Sequence, residues 1–173
     1  MLMKKYLNED KKAKSQSFFL KTETTVLNKK FINFLEKKYK FYKKDIRICL
    51  HKNPKSNHHD MVILQQNKNF YLPHKHLIKG ETYHVIKGKM VCVLFNNLGK
   101  VKLVCALNKN DIFRTPINTF HTMLPISKYV IYHESKVGPF LKKNDSIFPK
   151  WTKKFINNKS EIYKFKKKII DRI

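Results

Sequence analysis

Arginine is scarce in this chain: of the 38 basic residues only Arg47, Arg114 and Arg172 are arginine, and the remainder are lysine. Arginine is the better residue for bidentate phosphate and base-edge recognition, so its scarcity argues against a dedicated nucleic-acid reader despite a formal charge of +26. Acidic residues number only 12, alanine occurs only at positions 13 and 106, and glycine occurs four times. Cysteine is limited to Cys49, Cys92 and Cys105, an odd number without a Cys-x-x-Cys pair. That excludes a disulfide framework and makes a reducing compartment the default. No apolar run approaches the roughly 20 residues of a membrane span. The opening stretch, Met1 to Asp10, has no long apolar segment after its lysines, so it does not read as a signal peptide. Cytoplasmic residence is the expectation.

Lysine, asparagine, isoleucine, phenylalanine and tyrosine abound instead. All have A/T-rich codons, and a bias of genome composition explains much of the lysine excess. The lysines are spread along the whole length and form no single stripe. The charge would still attract anionic substrates, lipid surfaces or RNA non-specifically and in a salt-dependent way.

A chain of 173 residues with 42% hydrophobic residues has room for one domain with a proper core. Residues 1–27 are polar and weakly patterned, and partial disorder is expected there, although Phe18, Phe19 and Leu20 could pack. Across 28–45 the period is helical: Phe31, Phe34, Leu35, Tyr39 and Tyr42 recur at steps of three and four, and Asn28 is a plausible N-cap. This helix is expected to pack one face on a downstream barrel; lying on a membrane surface is the minority reading.

From 46 to 140 the period becomes that of strands, with candidates at 61–66, 70–77, 81–86, 89–95, 100–107 and 128–135. Asn96–Gly99 reads as a hairpin turn, and Asn53-Pro54 and Asn108–Asp111 as further turns. Successive strands without intervening helices predict a mainly β, antiparallel sandwich or jelly-roll barrel. Residues 89–95 are apolar on both faces, so something must cover their outer side, and the 28–45 helix is one candidate. The last stretch, 141–173, reads as an extended arm followed by a basic helix that Ser160 could cap. Ile162, Phe165 and Ile169 lie on one side of it, with Lys164 and Lys166–Lys168 on the other.

Three histidines and a glutamate stand out against this background. In an extended chain alternate residues project from one face, so His74 and His76 point the same way. A reversal at Lys79-Gly80 would bring Glu81 beside them. His121 follows the Pro116 turn, at the start of a strand over 120–124, and barrel closure could bring it to the same interior. Three imidazoles and a carboxylate suit one divalent transition metal ion, whether Fe, Mn, Zn or Ni, and leave coordination positions open. Tyr83, on the face of Glu81, and His133 are the candidate acid/base residues. Arg114 and His51 are candidate substrate-binding residues. His84 has the wrong parity for a ligand, and His58 and His59 fall in a polar turn where solvation is expected.

The spacing of these residues resembles the cupin superfamily. The core of its first motif is His-x-His, three or four residues, Glu, six residues, Gly; His74, His76, Glu81 and Gly88 match each position. The second motif has Pro-x-Gly-x-x-His. Pro116 and His121 match it, Asn118 replaces its glycine, and Pro125 stands where an Asn often comes next. The segments 47–54, 59–63, 134–140 and 148–151 look like the start and close of WbuC-type cupins. That resemblance, over about residues 46–151, implies a cupin jelly-roll (double-stranded β-helix) metalloprotein associated with surface-polysaccharide (O-antigen) biosynthesis. A metal-dependent isomerase, epimerase or dioxygenase acting on a small polar or anionic ligand such as a sugar nucleotide is the leading expectation for the chain's function. A non-catalytic carbohydrate-binding or regulatory module is the alternative, and a basic nucleic-acid binder a weaker one. No specific nucleic acid is expected as partner; a homodimer is an expectation by analogy.

Overall fold

Strand-forming residues crowd the stretch between Ile46 and Val137, and the backbone there is hydrogen-bonded into two sheets. The computed structural model describes residues 5–11, 13, 15–22, 26–42, 44–141 and 145–173. Its elements are β1 (Leu7–Asp10), β2 (Gln16–Leu20), α1 (Lys29–Tyr39), β3 (Ile46–Cys49), β4 (His58–Gln66), β5 (Glu81–Lys87), β6 (Met90–Phe95), β7 (Val101–Leu107), β8 (Ile112–Thr115), β9 (Phe120–Pro125) and β10 (Tyr129–Val137), then a 3₁₀ turn (Lys150–Phe155) and α2 (Lys159–Ile170). One sheet has the order β1-β2-β3-β4-β10-β5-β8, the other β7-β6-β9. Among the described residues only β2 and β3 run parallel; the other pairings are antiparallel. Facing each other, the sheets make a double-stranded β-helix.

Parity along the strands sorts side chains into layers. Met61 and Ile63 of β4, Val85 of β5, Cys92 of β6 and Tyr132 of β10 fill the interior between the sheets. Val62 and Leu64, on the opposite face of β4, join Ile46, Ile48 and Ile131 beneath α1, which contributes Phe31 and Leu35. Both faces of β4 are therefore buried, which is why it reads as a continuous apolar run rather than an alternation.

α1 starts where the sequence places it. The Asn28 side chain accepts a hydrogen bond from the Lys30 N–H, at 2.9 Å. Its apolar face is taken up by the larger sheet. The helix stops at Tyr39, short of the expected 45, and the chain then feeds into β3. Within residues 1–27, β1 and β2 form, and Leu7, Phe18 and Leu20 are buried under α1. The strands are short and flanked by lysines, which is why their pattern is weak.

Cover for the outer face of β6 comes from the C-terminal segment and not from α1. Val91, Val93 and Phe95 pack with Phe120 and Leu124 of β9 against Ile169, Phe165 and Trp151. The cap of α2 is Asn158, two residues before the expected Ser160, its side chain accepting from the Glu161 N–H. The expected strand at 70–77 is reduced to isolated bridges, His74 with His121 and Lys75 with Ile147. Of the arm expected from 141, residues 142–144 lie outside the described residues; Ile147 bridges to Lys75, and the 3₁₀ turn comes after it. Among the described residues no helix is long and apolar enough to cross a membrane.

Candidate metal centre

His74 and His121 face each other across a backbone bridge, each N–H donating to the other's carbonyl at 3.1 and 2.8 Å. The bridge fixes the two rings on one side of the barrel wall. Upstream of His121 the turn needs a left-handed residue, and Asn118 supplies it at φ 55°. The Asn118 N–H donates to the His76 carbonyl at 2.7 Å, tying the second motif to the first. Glu81 opens β5, and Gly88, at φ 86°, lets the chain turn into β6 at a spot where a Cβ would strike the Tyr129 carbonyl at 2.6 Å.

One nitrogen from each histidine and one oxygen of Glu81 all lie within 4.8 Å of one another. His76, Glu81 and His121 are 2–3% exposed, so these polar atoms have no bulk solvent to rely on. Each imidazole is held from behind. Nδ1 of His74 meets the Leu72 carbonyl at 2.9 Å, Nδ1 of His121 the Thr119 carbonyl at 2.9 Å, and Nδ1 of His76 the Asp145 carbonyl. With Nδ1–H donating outward in a neutral ring, each Nε2 keeps its lone pair, the tautomer a metal ligand needs.

Nε2 of His121 is 2.8 Å from Oε2 of Glu81. Nε2 of His76 is 3.0 Å from Oε1 but without hydrogen-bond alignment, so it is a buried polar atom left unsatisfied. Ligand atoms cis to one another around an octahedral ion with bonds of about 2.1 Å lie about 3 Å apart. The donor set, its spacing and the orphaned nitrogen fit a divalent cation.

Electrostatics keep Glu81 and His74 in ligand form. Burial alone would raise the pKa of Glu81, but the Lys136 ammonium and the His121 and His76 rings outweigh it and hold the carboxyl well below its usual range. Burial, reinforced by the neighbouring His121, pushes His74 down to about 4. His76 moves the other way: burial lowers it, and the Glu81 carboxylate more than offsets that.

Tyr83 is fully buried and its hydroxyl donates to Oε2 of Glu81. Burial first, then the Glu81 charge, pushes that hydroxyl well above its normal pKa. It orients the carboxylate and is a poor proton carrier near neutral pH. His133 has outward parity on β10, with Nε2 3.0 Å from the Asp60 carboxylate, and does not line the interior. Arg114 projects from the outer face of β8, exposed and likewise off the interior wall. His51 does line the interior, stacked on His59 with ring centroids 4.2 Å apart. His59, expected in solvent, is 5% exposed, its Nε2 3.2 Å from the Pro54 carbonyl.

The interior opens as a cavity of about 610 Å³, a size suited to a small organic ligand. Three lining residues, Lys136, Glu134 and Arg47, escape a sequence reading. Lys136 lies 2.7 Å from Oε1 of Glu81 and 3.1 Å from Glu134. Arg47 faces in from β3. Parity was the available signal: Tyr132, Glu134 and Lys136 alternate along β10, and Arg47 shares the side of Cys49. In so lysine-rich a chain, an inward lysine does not announce itself.

Residues 40–107 match a family model described as a domain of unknown function (DUF6016). No curated protein matches the chain. Among solved structures, CapF from Staphylococcus aureus, described as a capsular polysaccharide assembling protein, superposes with a TM-score of 0.51 at 16% identity over 60% of this chain. The aligned part is 31% of CapF, so the chain corresponds to less than a third of that protein. A Klebsiella pneumoniae protein with a double-stranded β-helix domain gives 0.48 at 16% identity, covering 62% of this chain and 80% of that one. The likeness to CapF concerns the fold, which is that of a cupin jelly roll.

Proposed function

We propose that this chain is a metal-binding cupin in which His74, His76, Glu81 and His121 hold one divalent transition metal ion. The observation that carries this reading is the buried, unsatisfied Nε2 of His76 among donor atoms within 4.8 Å of one another. A bound ion would act as a Lewis acid toward ligand oxygens at its open positions. The chain's own contribution is to hold the three Nε2 atoms and the Glu81 carboxylate in place, and to surround them with a largely apolar wall.

The substrate reading, a small polar sugar or sugar nucleotide of surface-polysaccharide biosynthesis handled in the cytoplasm, rests on the resemblance to WbuC-type cupins and on the cavity's size. A non-catalytic carbohydrate-binding module is favoured by one observation: Tyr83 is committed to Glu81 and His133 faces outward, so neither supplies a free acid or base. Turnover of sugar nucleotides by metal-loaded protein separates the two readings.

Elemental analysis of the purified protein tests the site itself. Wild type should carry near-stoichiometric metal, and a His74→Ala, His76→Ala double variant very little. Equal trace amounts in both would remove the assignment.

A further inference from the structure

Among the described residues, Arg47 is the cation in the cavity wall whose charge is left uncommitted. It sits on β3, paired in register with Ile63, and shares its inward parity with Cys49. Its Nε donates to Ser17 Oγ at 2.7 Å, and one terminal nitrogen meets only the Met61 sulfur at 4.0 Å. No carboxylate of a described residue stands within ion-pair distance of the guanidinium. Other charges of the cavity wall, which also includes Asp10, have partners of their own. Lys136 bridges Glu81 and Glu134, Asp145 pairs with the buried Lys79, and Asp45 accepts from the Gln66 N–H and the Asn69 amide.

A partly buried guanidinium without a counter-ion is costly unless something else provides one. Arginine's planar fork matches a carboxylate or a phosphate through paired N–H donors, and the chain places one of its three arginines here. The cavity that Arg47 lines also contains His74, His76, Glu81 and His121.

We infer that Arg47 is an oxyanion anchor, and that the ligand of this cavity is an anionic molecule whose carboxylate or phosphate is held by Arg47 while its other oxygens face the His/Glu cluster. This rests on the proposed metal site for the second half of the ligand but not for the first. Ser17 is the positioning residue: its hydroxyl occupies Nε and turns the terminal nitrogens toward the cavity.

The test is calorimetric titration at 150 mM salt with glucuronate, glucose 1-phosphate and glucose, on chelator-treated and metal-loaded protein. Wild type should bind at least one of the two anions in preference to glucose, and whichever binds identifies carboxylate or phosphate. Arg47→Met should weaken that binding roughly tenfold to a hundredfold, as expected for loss of a charge-assisted contact. Arg47→Lys, which keeps the charge and guards against a folding defect, should recover part of it. Arg114→Met, on the outer face, should bind like wild type. Equal affinity in wild type and Arg47→Met, an equal loss in Arg114→Met, or binding of neither anion overturns the inference. Metal content measured on the same samples separates the two ideas. Trace metal with an intact Arg47 effect refutes the metal centre alone, and full metal with no Arg47 effect refutes the anchor alone.

Discussion

Lys136 lies between two buried carboxylates, and its removal would strand both. Glu81 is 3% and Glu134 8% exposed, and no other described lysine or arginine contacts them. Breaking a buried pair in this way costs about 3–5 kcal/mol. Lys136→Met should therefore melt well below wild type in chelator. Added zinc should raise its midpoint by more than it raises wild type's, because a divalent ion returns positive charge to Glu81. No zinc-induced shift in thermal melts of either protein would mean that no ion reaches the carboxylate, and equal shifts in both would mean that Lys136 does not bear on the ion's binding. The same residue marks where sequence reading stops. The His74, His76, Glu81 and His121 cluster was readable because its spacing is rare and tied to turns at Gly80, Gly88 and Asn118. Lys136 and Arg47 were not, because their role depends on which face of a strand points inward, and that is fixed only when β3, β4 and β10 pair.

At the level of elements, β4, β5, β6, β7 and β10 were readable from period and turn chemistry, and α1 from its cap and apolar stripe. β8 was missed because four residues between two turns carry too little pattern, and 70–77 was over-read because its extended backbone makes bridges without a continuous ladder. The partner of β6's outer face needed the tertiary structure. α2 looks like a basic surface helix, yet it closes the side of the barrel whose strand β9 carries His121. Ile169 is 1% exposed against Val91, Val93 and Leu124. Ile169→Ala should cost about 2–5 kcal/mol in urea unfolding, as buried large-to-small changes do. Lys167→Ala on the exposed face should stay within about 0.5 kcal/mol. A small effect from both would mean that the helix is not part of the folded core.

For the whole molecule, the net charge of +26 makes acid a double stress. Every proton taken up adds to a molecule already strongly positive, and self-repulsion grows. Buried histidines add a specific linkage. Burial, reinforced by the adjacent His59, holds His51 at about 4, burial holds His74 at about 4, and burial lowers His59. A histidine near 6.5 when unfolded and near 4 when folded binds more protons in the unfolded chain across that interval, so stability falls as pH drops through it. Each fully buried group of this kind contributes on the order of 3 kcal/mol, and His51, being partly exposed, contributes less. His76 opposes the trend: its folded pKa is raised, so its contribution is present below 6.5 and is lost as pH rises through the raised value. Against it stand three histidines whose folded pKa values are depressed. In chelator, the urea midpoint should be highest near pH 7 and decline steadily between 6.5 and 4, and added salt should soften the decline by screening the surface charge. His51→Phe should flatten part of the slope at every salt concentration, since the ring that must stay neutral is gone. A midpoint unchanged from pH 7 to 4.5, or a slope that salt abolishes completely, would assign acid sensitivity to surface charge alone and leave the buried imidazoles without a role in it.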